Sequence, residues 1–131
     1  MLLLDTDVMI DLLRQYPPAS AWLAAHSSEE LILPGFVVLE LIQGCRNKKE
    51  QERVELLAAR CRVTWPTEAE CNLAVHTYAQ YHLSHSLGFI DALIGHTAAA
   101  LGQPLYTFNQ KHYAMIPGLE TSQPYGRVTT S

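Results

Sequence analysis

The chain has 131 residues, of which 48% are hydrophobic and 17% charged, a composition typical of one soluble globular domain. Nine lysines and arginines against thirteen aspartates and glutamates give a net charge of −4, so overall charge does not indicate a nucleic-acid binder. A cluster of metal-binding acids would also bias that count towards acid. No apolar stretch has the length of a membrane span, and the N-terminus lacks the features of a signal peptide. We therefore expect a cytoplasmic protein.

The three cysteines share no CxxC spacing and are odd in number, which argues against a disulfide framework or a zinc ribbon. We interpret Cys45, Cys61 and Cys71 as buried thiols in a reducing compartment.

The first predicted element is the run of three leucines at residues 2–4, which is typical of a buried parallel strand. Asp5 follows it directly and would lie at the carboxyl end of that strand, where open α/β sheets bind their ligands. A helix then begins, with Thr6 or Asp7 as its predicted cap and Asp11 exposed. The alternative is that Asp5 itself is a simple N-cap.

The rest of the chain alternates between helices and strands. Helices are predicted over residues 19–26, 36–45, 48–60, 67–83, 86–101 and 111–116, and strands over 31–33, 62–66 and 104–108. An edge strand after residue 119 is a further candidate. Strands separated by helices predict an α/β fold with a mostly parallel sheet of four to five strands, covered by helices on both faces. We assign residues 1–124 to this domain and residues 125–131 to a flexible tail.

Three acids interrupt apolar stretches. Glu40 is the only charged residue between residues 36 and 45, and Asp91 is the only one between 86 and 101. With Asp5, they would lie near one edge of the sheet, where they would repel one another unless a hard divalent cation lay among them. Oxygen ligands without a matching set of histidines or cysteines indicate Mg²⁺ or Mn²⁺. Each acid alone could instead belong to a solvated helix face.

Several short motifs occur in one order along the chain. They are Asp5-Thr6-Asp7, Val38-Leu39-Glu40-Leu41-Ile42-x-Gly44, Asp91-Ala92-Leu93-Ile94, Thr107-Phe108-Asn109 and Ile116-Pro117-Gly118-Leu119. This order resembles PIN-domain proteins, and more closely the ribonuclease toxins of VapBC toxin–antitoxin pairs. The resemblance extends over residues 2–119, nearly the whole chain.

The resemblance implies a catalytic acidic triad of Asp5, Glu40 and Asp91 that holds Mg²⁺ or Mn²⁺. It also implies a further metal ligand at Asn109. The supporting residues it implies are Thr6, Asp7 and Thr107, of which Thr107 could orient a neighbouring carboxylate. The chain departs from the family at His112, where many relatives carry an aspartate. With one carboxylate fewer, we expect a single tightly bound ion.

The implied function is that of a metal-dependent endoribonuclease that cleaves single-stranded RNA, as the toxin of a type II pair. Expected partners are the RNA, a small VapB-like antitoxin and a second copy of the chain, in a homodimer and a toxin–antitoxin hetero-oligomer. A groove between the helices around residues 8–13 and 36–42 could accept an amphipathic antitoxin segment. Candidate RNA-binding residues are Arg46, Lys48, Lys49 and Lys111, although the first three also fit a solvated helix face.

Two other functions fit parts of the sequence. A non-catalytic RNA- or protein-binding module with a weakened site is one, and His112 is its only indication. A phosphatase of the DxD type is the other, based on Asp5 and Asp7, but no late acidic pair or catalytic lysine supports it. We interpret His82 and His85 as a surface pair, and His96 as a packing residue, rather than as zinc ligands.

Overall fold

Five parallel strands form the central sheet in the computed structural model, which describes residues 1–127. In sheet order the strands are β3 (Arg62–Thr64), β2 (Leu31–Pro34), β1 (Leu2–Leu4), β4 (Leu105–Tyr106) and β5 (Thr121–Ser122). All four neighbouring pairs are parallel. The predicted α/β fold is confirmed, and the candidate strand after residue 119 is the edge strand β5.

Seven helices connect and cover the strands within the described residues. They are α1 (Thr6–Leu13), α2 (Pro17–Ala25), α3 (Gly35–Gln43), α4 (Lys48–Ala58), α5 (Glu68–His85), α6 (Phe89–Leu101) and α7 (Gln110–Tyr113). None of these helices combines the length and the apolar character that a membrane crossing requires.

Some boundaries differ from the predictions for local reasons. Helix α2 begins at Pro17 instead of residue 19, because the fixed backbone of proline suits the first helical turn. Helix α6 begins at Phe89 instead of residue 86, because Ser86 adopts a left-handed conformation (φ 52°) that ends α5. At α5 the predicted Thr67–Glu70 capping box is present.

The central strand β1 determines where the site lies. Leu2, Leu3 and Leu4 are each at most 2% exposed, because helices cover both faces of the sheet. From β1 the chain builds outward to β2 and β3 on one side and then to β4 and β5 on the other. The strand order therefore reverses at β1, and such a reversal opens a ligand crevice at the carboxyl ends of the strands. Asp5 follows β1 at that position.

One prediction about exposure is wrong. The three cysteines are free but only partly buried, and the thiols of Cys45 and Cys61 donate to carbonyls four residues earlier in their helices. The chain also remains packed beyond the predicted domain end at residue 124. The Tyr125 ring lies 5.0 Å from the Phe108 ring, and its hydroxyl donates to Asp11. The rest of the predicted tail, residues 128–131, lies outside the described residues.

Candidate active site

Asp5 is the buried centre of the site. It is 4% exposed and is the N-cap of α1, where its Oδ1 accepts from the backbone N–H of Thr6 at 2.8 Å. The prediction that Thr6 or Asp7 caps this helix is therefore wrong, because the chain turns into the helix one residue earlier. The other carboxylate oxygen, Oδ2, accepts from the Thr107 hydroxyl at 2.8 Å. A strand end and a helix start thus fix both oxygens.

Glu40 and Asp91 reach the same region from two other helices. The Thr6 hydroxyl, next to Asp5, donates to Glu40 Oε1 at 2.6 Å, which links α1 to α3. Asp91 lies in the first turn of α6, where the helix dipole favours an anion, and its side chain is 29% exposed. His112 Nδ1 lies 4.0 Å from Asp91 Oδ2. The structure thus brings the three predicted acids together around Asp5.

Tyr113 is a member of this site that sequence reasoning missed. It is 2% exposed, and its hydroxyl lies within hydrogen-bonding reach of both Asp5 and Asp91. Burial and the charges of these acids and of Glu40 raise the pKa of Tyr113, so it stays protonated and can donate. In the sequence it follows the Asn109 motif in a short helix, and only that proximity could have indicated it.

Asp7 holds the loop after β4 in place. Its Oδ2 accepts from the backbone N–H of Phe108 at 2.8 Å and from the Asn109 side-chain amide at 3.3 Å. Asp7 therefore does not cap α1, contrary to the interpretation from sequence. Asn109 contacts Asp7, and within the described residues no hydrogen bond joins its side chain to Asp5, Glu40 or Asp91.

The acids are electrostatically unfavourable as they stand. Burial, together with repulsion from Asp7, raises the pKa of Asp5 to about 7. Burial also raises the pKa of Asp7 and of Asp91. Within residues 1–127 no lysine or arginine forms an ion pair with Asp5, Glu40 or Asp91. A buried carboxylate without a compensating cation costs free energy, so this arrangement favours the binding of a cation from solution.

The donor atoms fit a hard divalent cation held partly through water. Carboxylate, hydroxyl and amide oxygens are the ligands that Mg²⁺ and Mn²⁺ prefer. No three acidic, histidine or cysteine side chains in residues 1–127 lie close enough together to surround one ion directly. Mg²⁺ usually keeps several waters and binds one or two carboxylates, so a directly closed cage is not required.

The predicted substrate-binding cations lie on the surface. Lys48, Lys49 and Lys111 are exposed. Arg46 is 84% exposed and pairs with Glu50 at 2.8 Å, the i,i+4 arrangement of a solvated helix face. The structure instead places Arg127, from the predicted flexible tail, beside Asp7 and Asp11. Asp11 is 14% exposed, so the expectation that it is exposed is wrong.

Three histidines outside the site contact side chains on α5 and α6. His96 is 7% exposed, and its Nε2 lies 2.7 Å from the Thr77 hydroxyl between α5 and α6. The His82 ring lies tilted against Tyr78, and the His85 ring meets Tyr81 edge-on, in both cases within the same helix. Within the described residues neither belongs to a group that could hold a metal.

Known proteins share this architecture. The family model described as PIN domain matches residues 2–116. The protein named Ribonuclease VapC19 of Mycobacterium tuberculosis is 33% identical over 125 residues, which cover 92% of this chain and 98% of that protein. The structure of VapBC-1 from nontypeable Haemophilus influenzae aligns with a TM-score of 0.73 at 26% identity, over 93% of this chain and 96% of that one.

A toxin–antitoxin complex from Klebsiella pneumoniae gives the same TM-score of 0.73 at 22% identity, over 95% of this chain and 98% of that one, and so shows the fold alone. The PIN-domain match over residues 2–116 places the chain in a family other than the DxD phosphatases. It therefore excludes the phosphatase alternative. The chain belongs to the PIN-domain family, and within it resembles the VapC ribonucleases.

Proposed function

We propose that this chain is a divalent-metal-dependent endoribonuclease that cleaves single-stranded RNA, and that it is the toxin of a type II toxin–antitoxin pair. The observation that carries the proposal is the buried Asp5 carboxylate, which has acidic neighbours and, among residues 1–127, no paired cation. The reaction class is supported by the 33% identical relative named as a ribonuclease.

Asp5, Glu40 and Asp91 would hold the ion, and Asn109 would contribute through water because its amide faces Asp7. When bound, Mg²⁺ or Mn²⁺ supplies a Lewis acid that activates water and offsets the charge of the phosphate. One such ion is expected, because His112 stands beside Asp91 where a further carboxylate would help to hold a second ion.

The residues around the acids keep them in a productive arrangement. Thr107, directly after β4, holds Asp5, and Thr6 holds Glu40 from the start of α1. Tyr113 is buried beside the acids, and its hydroxyl lies within hydrogen-bonding reach of Asp5 and Asp91. Because each acid is fixed by a group on another element, little reorganisation is needed when the substrate phosphate arrives.

The test is cleavage of a labelled single-stranded RNA by the purified protein with Mn²⁺ or Mg²⁺, beside Asp5→Asn and an EDTA control. We expect cleavage that requires the metal and is lost in the variant. Metal binding without cleavage of any RNA would contradict the enzyme and favour the RNA- or protein-binding module. Cleavage that persists in EDTA would contradict the metal dependence.

A groove beside the acids is suited to the antitoxin. It has a volume of about 940 Å³, lies between α1, α3 and α4, and includes Glu40 among its lining residues. Apolar side chains such as Ile10 and Leu41 share it with Arg14, Arg46 and Arg53. We propose that an amphipathic segment of the antitoxin binds here, with acidic side chains on the arginines.

Binding of the cognate antitoxin tests this surface. We expect Arg14→Glu to weaken binding at least tenfold, because it reverses a charge at the groove. The matched control is Arg62→Glu, an exposed arginine on β3 that does not line the groove. Equal affinities of the two variants would contradict the groove as the antitoxin site.

We also propose that the chain forms a homodimer. Leu73, Val75, Leu83 and Phe89 on α5 and α6 are more than half exposed, and a second copy of the chain would cover such apolar side chains. Light scattering should give twice the mass of the chain, whereas a strict monomer would contradict the proposal.

Lys48, Lys49 and Lys111 remain candidate contacts for RNA outside the acidic site.

A further inference from the structure

Arg127 is held in one position although its side chain is 39% exposed. Its Nε donates to Asp11 Oδ2 at 3.1 Å, and its Nη2 donates to the backbone carbonyl of Asp7 at 3.4 Å. The guanidinium carbon lies 3.8 Å from the centre of the Phe108 ring, a cation–π contact. Two hydrogen-bond acceptors and an aromatic face therefore fix its plane.

Tyr125, two residues before Arg127 in the same chain, anchors this arginine. The Tyr125 hydroxyl donates at 2.8 Å to the same Asp11 oxygen that Arg127 uses. The Tyr125 ring also packs against Phe108 at 5.0 Å and Trp22 at 6.2 Å. Residues 125–127 are therefore docked on α1 and on the loop after β4.

This docking places a positive charge at the edge of the acidic site. Arg127 contacts the backbone of Asp7, whose carboxylate shares the Thr107 hydroxyl with Asp5. Among residues 1–127, Arg127 is the one lysine or arginine that hydrogen-bonds with Asp7 or Asp11, through the Asp7 backbone carbonyl and the Asp11 carboxylate. Several carboxylates repel an approaching polyanionic RNA. A fixed cation beside them offsets this repulsion by attracting an RNA phosphate.

We propose that Arg127 binds a backbone phosphate of the RNA next to the cleaved bond, and that Asp11 is the residue that positions it. The inference rests on the proposed ribonuclease function. Arginine presents planar N–H donors that match two phosphate oxygens. Because stacking on Phe108 and the bond to Asp11 already orient the guanidinium, it loses little conformational freedom when the phosphate binds.

Two other roles make different predictions. If Arg127 only stabilises the fold, its removal lowers the melting temperature and leaves the kinetics of the folded enzyme unchanged. If it inhibits the site by neutralising Asp7, its removal raises activity. The direction of the kinetic change therefore decides among the three.

The experiment compares Arg127→Gln, Arg127→Lys and Asp11→Asn with the wild type, and uses Arg62→Gln on β3 as the matched control. Cleavage of a labelled single-stranded RNA with saturating Mn²⁺ gives kcat and KM at several salt concentrations. Fluorescence anisotropy of the same RNA gives Kd, and thermal unfolding shows that each variant is folded.

We expect Arg127→Gln to lower kcat/KM and RNA affinity about tenfold, mainly through KM and Kd, as for loss of one charge-assisted contact. The slope of log Kd against log salt should become shallower by about 0.7, the value for one phosphate contact on a single strand. Arg127→Lys should keep the salt slope of the wild type. Asp11→Asn should lower RNA affinity about threefold, because the guanidinium remains but its orientation is less fixed. Arg62→Gln should match the wild type in both measurements.

Unchanged kinetics and an unchanged salt slope in Arg127→Gln would overturn the proposal, and so would a rise in activity. The proposed function fails in a different way, as a wild type that cleaves no RNA. In that case the anisotropy measurements still test Arg127, and the absence of any RNA binding would overturn both.

Discussion

Two buried polar side chains in this molecule have opposite surroundings. His96 is 7% exposed between α5 and α6, burial lowers its pKa, and the Thr77 hydroxyl lies 2.7 Å from its ring nitrogen. Asp5 is 4% exposed and accepts hydrogen bonds, but the charge that acts on it is that of another acid, Asp7. A neutral pair of matched partners stabilises a fold, whereas a buried acid beside an acid is suited to bind a cation.

The largest expected effect is on catalysis. We expect Asp91→Asn to lower RNA cleavage by at least about 100-fold, the scale for removing one charged group that acts on the transition state. The fold should remain intact, because the Asp91 side chain is 29% exposed and is not part of the core. The measurement is the cleavage rate with Mn²⁺, beside the circular dichroism spectrum.

The control for that experiment is His96→Gln, at the buried histidine between α5 and α6. A glutamine can keep a hydrogen bond to Thr77, so this variant should cleave RNA at the wild-type rate. A similar loss of activity in both variants would mean that neither result reports on the acids.

The second prediction concerns the pH dependence of stability without metal. In the unfolded chain the Asp5 carboxyl has its ordinary pKa of 3.8, whereas burial raises the pKa in the folded state to about 7. The folded state therefore binds the proton more tightly, so the free energy of unfolding is highest below pH 4 with respect to this group and falls until pH 7. The loss should be roughly 2–4 kcal/mol.

Urea unfolding in EDTA at pH 5 and pH 8 measures this loss. Asp5→Asn should remove most of it, and Mn²⁺ at pH 8 should restore stability to the wild type but not to the variant. A wild type that is equally stable at both pH values would contradict the proposed electrostatic cost of the site.

A smaller effect is expected in the His96 region. Thr77→Val leaves the His96 ring nitrogen buried without its hydroxyl partner, which costs about 1–3 kcal/mol in the free energy of unfolding. Cleavage by the folded variant should be unchanged. Urea unfolding and the cleavage rate are the two measurements, and an unchanged stability would show that water replaces the hydroxyl.

The smallest effect is expected at the edge of the acidic site. Burial raises the pKa of Asp91, and the charge of His112 opposes that rise. His112→Ala should therefore raise the pKa of Asp91 and move the acid limb of the pH–rate profile up by about half a unit, as for an exposed pair. A shift towards lower pH would contradict this role of His112.

The positions of Asp5, Glu40 and Asp91 at one edge of the sheet could be predicted from the sequence. Each interrupts an apolar stretch, and the alternation of strands and helices places Asp5 at a strand end, Asp91 at a helix start and Glu40 inside the helix that follows β2. The sequence indicates these positions because every buried helix or strand needs apolar residues along its whole length, so an acid within such a stretch stands out.

The contacts that complete the site could not be predicted. The Thr107–Asp5 bond joins residues 102 positions apart, and the Tyr125–Asp11 bond joins residues 114 positions apart. Such pairs depend on how loops are placed after packing, and no local pattern indicates them. Residues 125–127 were assigned to a tail for the same reason, since their polar and glycine-containing sequence gives no sign of the acid that holds them.

The position of β1 in the middle of the sheet has a consequence for synthesis. Asp5 is translated 102 residues before its partner Thr107, which follows β4, and β4 must be translated before it can pair with β1. A ribosome adds about 5–20 residues per second, so the nascent chain carries an incomplete site for several seconds. A chain that cuts RNA would thus become active only after Thr107 and the strand that precedes it have been translated.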